Sequence, residues 1–200
     1  MNHRLSAILI VFLVLPTLAL GQAADKSATA DVSERATLLK TLNRGATVTS
    51  NNQKYQILPE VRAAESMSQE KPQLTLTRHG GSKLIETKGV FVVFTAAPQS
   101  IASVKSVNGA TSYPTVINQR THGIGILPGT LSVKLKNMDS AVAVANDHGL
   151  EVVRVFAHLQ AAFYRVKPDQ DVVAAAASLI ADPRVVSAEV EVIEHMAVAR

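Results

Sequence analysis

The sequence contains no cysteine and no tryptophan, and only 4% of its 200 residues are aromatic. Without cysteine there are no disulfides, no thiolate metal sites and no lipoprotein anchor. Export is not opposed, because a chain of this length folds without covalent staples. Few aromatics mean few platforms for stacking bases, and the basic residues are scattered, so no nucleic-acid partner is expected. Long apolar runs are scarce too. The longest, Ala7 to Leu20, falls short of the roughly 20 residues a membrane-spanning helix needs.

What is present begins with that run. His3 and Arg4 precede it and Ala19-Leu20-Gly21 closes it, the pattern of a secretory signal over residues 1–21, with a second cut near Ala23 or Ala24 equally compatible. The mature chain is then expected in the periplasm or outside the cell. The formal charge is +4 from 20 basic and 16 acidic residues; loss of Arg4 leaves 19 − 16 = +3, an ordinary value. With 47% hydrophobic residues the chain has enough apolar material for one or two small domains.

Residues 22–45 read as a small, polar N-terminus and then a short helix, with Ser33 as cap, Leu38, Leu39 and Leu42 on one face, and Gly45 at its end. From 46 to 121 the signal is strand-like, in TVTSNNQKYQIL, QLTLTRHGGSKLIET, GVFVVFTA and SVKSVNGATSYPTV. Asn51-Asn52, Gly80-Gly81 and Asn108-Gly109 stand where hairpins require positive φ, so a small antiparallel β domain is predicted. HGIGILPG, residues 122–129, holds three glycines and a proline and reads as a hinge.

Beyond it, residues 130–195 alternate between two periods. LSVKLK is a strand; DSAVAVANDHG is a helix with Asp139 as N-cap and Gly149 at its end; LEVVRVF and AAFYRVK are strands joined by AHLQ. DVVAAAASLIADP places Val172, Val173, Ala176, Leu179 and Ile180 on one helical face and stops at Asp182-Pro183. In VVSAEVEVIE, Val186, Ala188, Val190 and Val192 alternate with Ser187, Glu189 and Glu191. The order βαββαβ predicts an α+β fold, a ferredoxin-like sandwich with both helices on one face of the sheet and the acidic side of the last strand on the other. Residues 196–200 carry no turn or cap signal and are expected to leave the sheet extended.

No serine lies in a GxSxG or GTSxA-type setting, so no hydrolase is expected, and His122 in THGIG reads as a hinge residue. His79 reads as a turn residue and His148 as a partner of the last carbonyls of its helix. No two histidines share a helix face at ligating distance, so neither a metal nor another cofactor is expected. Acylphosphatase chemistry would need a glycine-rich anion loop after the first strand, where Lys136-Asn137-Met138 stands.

Taken together, GTLSVKLK, HGLEVVRVF, the Gln170–Pro183 helix, VVSAEVEVIEH and the tail beyond it make Gly129–Arg200 resemble the propeptide domain of subtilisin-like serine proteases, found also as free-standing inhibitors of the I9 type. A signal peptide and β-rich segment before such a module is similar to the layout of external chaperones of kexin-like subtilases of the Aeromonas type. The resemblance implies a subtilisin-like serine protease as partner. The sheet would pack on two surface helices of the enzyme and acidic side chains would meet their N-termini. The tail, Ala197, Val198, Ala199 and Arg200, would lie in the cleft as a product does, with Arg200 in a specificity pocket for basic residues. Counting from Asp182-Pro183 gives Glu189 and Glu191 as the helix-facing acids; counting from the carboxyl end gives Glu194. A stand-alone protease inhibitor, or an interaction module with no protease target, fits the same residues. Once the signal is removed no remaining segment is long and apolar enough to span a membrane, so no membrane partner is expected.

Overall fold

The computed structural model of the chain describes residues 33–66, 71–98, 102–107 and 110–194. The signal segment, 1–21, lies outside these residues, as do the cut near 23–24, His195 and the tail, 196–200. Residues 33–41 form helix α1, in which the Thr37 hydroxyl donates to the Ser33 carbonyl at 3.0 Å. Thr41–Arg200 is one compact unit, and it contains two antiparallel sheets.

The first sheet has seven strands: β1 Thr47–Ser50, β2 Gln53–Glu65, β3 Lys83–Lys88, β4 Phe91–Thr95, β5 Lys105–Val107, β6 Ala110–Asn118 and β7 Ile124–Ile126. Its order is β3-β4-β2-β6-β5, with β1 on β2 and β7 on β6. Asn51 and Asn52 both have positive φ, 49° and 59°, and turn β1 into β2 as their chemistry predicts. Asn108 and Gly109 lie outside the described residues, but Val107 pairs with Ala110 across them.

Two features of this sheet differ from the sequence reading. QLTLTRHGG is expected to be strand and hairpin, yet Pro72–Arg78 forms helix α2. Pro72 stands in its first turn, where its fixed φ suits a helix and its missing N–H has no helical partner to lose, and Gly80 at φ +64° ends it. Leu76 is buried while Leu74 is exposed, as a helix but not an alternating strand requires. Strand β2 also runs on through Pro59. A register shift between Leu58 and Arg62 against β6 accommodates this residue, which has no amide hydrogen for a ladder.

The second sheet holds β8 Thr130–Leu135, β9 Glu151–Phe156, β10 Ala161–Arg165 and β11 Val185–Val190 in the order β11-β8-β10-β9, every neighbouring pair antiparallel. Helix α3, Ala141–Asp147, lies between β8 and β9, and helix α4, Val172–Ile180, between β10 and β11. Leu131, Val133 and Leu135 on β8, Ala162 and Tyr164 on β10, and Ala188 and Val190 on β11 are buried with Val144 of α3 and Leu179 of α4 in one cluster. Both helices therefore cover the same face.

Local signals mislead in two places here. The cap at the start of the first helical segment is not Asp139 but Asn137, whose side chain accepts from the Asp139 amide, and a 3₁₀ turn, Met138–Ser140, precedes α3. Gly149, at φ +66°, does end α3. Val186, expected on the buried side of the last strand, is 62% exposed, because a register shift between Val185 and Ser187 turns it outward.

Nor are residues 122–129 a hinge. Ile124, Gly125 and Ile126 are buried in β7, and Leu127 joins the cluster beneath the second sheet together with Val48, Tyr55 and Val116 of the first. A single apolar core thus runs from one sheet to the other.

Candidate functional site

The face of the second sheet away from the helices carries alternate residues of all four strands. Register places Ser132 beside Phe163 and Glu189, and Lys134 beside Ala161 and Ser187. Phe163 also pairs with Arg154, and Ala161 with Phe156. Phe156 and Phe163 meet edge to face at 5.7 Å between centroids, and the Arg154 guanidinium lies 5.6 Å from the Phe156 ring. The face is an aromatic pair between cationic and anionic side chains. Glu151 through Val155 on the edge strand β9 are exposed along their whole length.

The three candidate acids have different surroundings. Glu189 is exposed on this face, and its Oε2 accepts from the Asn51 amide at 3.0 Å, at the β1–β2 turn. Glu191 is exposed, and its amide donates to the Thr130 carbonyl at 2.9 Å. Glu194 turns into the molecule. Its Oε2 accepts from the Tyr55 hydroxyl and the Asn118 amide group, each at 3.0 Å, and its Oε1 from the Thr121 hydroxyl at 2.8 Å. Burial pushes the Tyr55 phenol above its usual range, and the adjacent Glu194 carboxylate pushes it further, so the hydroxyl keeps its proton to donate. The other candidate site residues, Ala197, Val198, Ala199 and Arg200 of the tail, lie outside the described residues.

Residues 191–194 form a strap from β11 onto the edge of β7. Ile126 and Ile193 exchange two main-chain hydrogen bonds, N to O at 3.0 Å and O from N at 2.9 Å. The glycines of HGIG make this approach possible. A Cβ on Gly125 would stand 2.5 Å from a Val192 methyl carbon, and one on Gly123 would stand 2.5 Å from Glu194 Oε1. Lys88 donates to the carbonyls of Ile124 and Glu194, the latter at 3.0 Å. The sequence signal for this contact is present in the two glycines of the expected hinge, but nothing local says what approaches them.

One arrangement has the composition of a hydrolytic relay. His148 Nδ1 lies 2.9 Å from Ser178 Oγ, and its Nε2 lies 3.1 Å from Asp182 Oδ2. Ser178 stands near the C-terminal end of α4, where exposed carbonyls rather than N–H groups point outward, so the helix offers an oxyanion no donor. Asp182 is engaged elsewhere. Arg184 donates to it through its side chain and its amide, holding the carboxyl well below the usual carboxylate range, and also reaches Asp147 at 2.8 Å. The cluster ties the end of α3 to the end of α4. His79 caps α2 near Phe94, and burial lowers its pKa. His122, at φ +58°, occupies an exposed turn. Among the described residues no three His, Asp or Glu side chains gather as metal ligands, and no helix is long and apolar enough to cross a membrane.

The family model described as Open reading frame 2 N-terminal domain matches residues 26–198. The chain belongs to this family. The match takes in both sheets, the strap and the helices, so the open reading frame 2 N-terminal domain is the whole described fold rather than one of its halves. No curated protein matches the chain. Among solved structures, a chain from the crystal structure described as the Aeromonas sobria serine protease (ASP) and chaperone (ORF2) complex is 25% identical, with a TM-score of 0.37; the alignment takes in 49% of this chain and 100% of that one.

Proposed function

We propose that this protein is an external chaperone and inhibitor of a secreted subtilisin- or kexin-like serine protease, acting by binding energy and not by catalysis of its own. The observation that carries the reading is the second sheet. Its four antiparallel strands in the order β11-β8-β10-β9, with both helices on one side, support a ferredoxin-like reading of the kind a subtilase propeptide would have, and its other side presents the Phe156–Phe163 pair between Arg154 and Glu189. The family's open-reading-frame-2 designation is also that of the chaperone in the Aeromonas sobria complex, which supports a protease as partner.

In this reading the open face of residues 130–194 packs on the protease. Glu191, exposed where the chain leaves β11, and Glu189 beside it meet helix N-termini, each worth about 0.3–1 kcal/mol at an exposed site. Ala197, Val198, Ala199 and Arg200 extend as a strand along the cleft, gaining main-chain hydrogen bonds, and Arg200 selects an enzyme that cleaves after basic residues. The chain acts in the periplasm or outside the cell after loss of residues 1–21. A binder specific for the folded enzyme stabilises it by about 4 kcal/mol at a thousandfold excess over Kd, comparable to the whole stability of a marginal domain.

The test is refolding of a kexin-type subtilase from denaturant with and without the protein, and then inhibition of the mature enzyme. Faster or fuller recovery of active protease, together with inhibition that drops at least about a hundredfold when Met196–Arg200 are removed, is the expected result. Equal recovery without the protein removes the chaperone role, and unchanged inhibition on truncation removes the cleft role.

A further inference from the structure

The β-rich segment that precedes the propeptide-like module has no counterpart in what a simple inhibitor needs, and its contacts with residues 191–194 suggest its task. The strap leaves β11 and is received on β7 through one main-chain pair, with a side-chain contact from β3 beside it. Ile193 is paired with Ile126, Val192 sits over Gly125, and the Glu194 carbonyl accepts from Lys88. The Glu194 carboxylate then takes three donors from the seven-stranded sheet and the turn after β6: Tyr55, Asn118 and Thr121. Asn118 is almost fully buried, at 1% exposure, and Tyr55 is buried at 5%. Two of these donors are held independently of Glu194: the Thr121 hydroxyl accepts from the Gly123 amide at 3.2 Å, and Asn118 has partners of its own. The Asn118 Oδ1 accepts from the amides of Arg120 and Thr121, which fixes its side-chain plane so that Nδ2 faces the strap.

We infer that Glu194 is a positioning residue, and that the seven-stranded sheet serves to anchor it, fixing the place and direction in which the chain departs toward a protease cleft. The inference rests on the proposed cleft-binding of the succeeding residues, but assigns Glu194 to the inside of this protein instead of to the interface with the enzyme. An anchored departure point restricts the conformations open to the succeeding segment, so less freedom is lost when it binds. Three charge-assisted donors suit this task, because they fix a carboxylate in position and direction more firmly than the main-chain pair does alone.

The experiment compares four full-length-derived chains as inhibitors of a purified kexin-type subtilase: wild type, Glu194→Gln, a chain ending at Glu194, and that truncated chain carrying Glu194→Gln. Glu194→Gln is expected to weaken inhibition about tenfold in the full chain, the scale of a lost hydrogen bond to a charged group, and less than about twofold in the truncated one. An equal loss in both chains overturns the anchor, since a merely structural defect or a direct contact of Glu194 with the enzyme does not depend on the presence of residues 195–200.

Amide hydrogen exchange supplies the second measurement and needs no protease. Glu194→Gln, Tyr55→Phe and Gly125→Ala are each expected to speed exchange at Ile193 while leaving Leu131 and Val133 of β8 protected. Unchanged protection of Ile193 in Tyr55→Phe and Gly125→Ala overturns the anchor even if Glu194→Gln fails to fold. Loss of Ile193 protection with no effect of truncation on inhibition would instead sustain the anchor and remove the cleft-binding reading on which its purpose rests.

Discussion

At the scale of single residues, the side chains that decide most are those whose partners are distant in sequence. Glu194 looks like one more acid after an alternating strand, yet it is bound by Tyr55, Asn118 and Thr121. Gly123 and Gly125 look like flexibility, yet a Cβ on Gly125 would stand 2.5 Å from a Val192 methyl carbon, and one on Gly123 would stand 2.5 Å from the Glu194 carboxylate. Asp182 makes a prediction at this scale. Its folded-state pKa is depressed by Arg184, so its contribution to stability is complete above the unfolded carboxylate value of about 4 and is lost as pH falls from there through the folded value. Asp182→Asn should lower the thermal midpoint at pH 7, and the gap to wild type should narrow in melts run at about pH 4 and below. A gap that stays constant with pH would mean that ionisation of Asp182 is not what matters.

The elements show how far local chemistry reaches. Helix α4 is legible except at its end: Asp171 caps it by accepting from the amides of Val173 and Ala174, and Val172, Ala176 and Leu179 share its buried face, but Ile180, expected on that face, is 62% exposed. Asp171 also accepts from the Ala102 amide at 3.3 Å, which joins the helix start to the segment before β5. Asp171→Ala should therefore cost about 1–2 kcal/mol in chemical denaturation, toward the upper end for an N-cap, whereas Asp171→Asn should retain most of it. A cost of a few tenths for Asp171→Ala would show the cap to be idle. Helix α2 reads as a strand because Thr75 and Thr77 favour strands and the spacing of Leu74 and Leu76 mimics alternation; the better guide is Pro72 at its start with glycine after its end. The last strand is legible as far as Val190 except at Val186, where a register shift breaks the period; residues 191–194, expected to continue it, leave the sheet for β7.

For the whole molecule, the apolar core is shared. Val48, Tyr55, Val116 and Leu127 belong to the same buried cluster as Leu131, Tyr164 and Leu179, and the strap of residues 191–194 spans the two sheets. Thr41–Arg200 should accordingly unfold as one cooperative unit, with coincident transitions for amides of β2 and of β8 in denaturant-dependent hydrogen exchange; two separated transitions would restore the hinge between two domains. The sequence by itself determined the antiparallel β character of the first half, the asparagine turn at Asn51-Asn52, the β–α alternation after residue 130, and the acidic side of the last strand. Each arises from side-chain period or turn stereochemistry, which act over a few residues. Only the tertiary structure decided that the glycine-rich stretch is a buried edge strand, that Val186 turns outward, and that Glu189, Glu191 and Glu194 have three different surroundings. A pattern fixes which face of an element is apolar or charged, but what covers that face depends on segments brought together from as far apart as Tyr55 and Glu194, and no local period records that pairing.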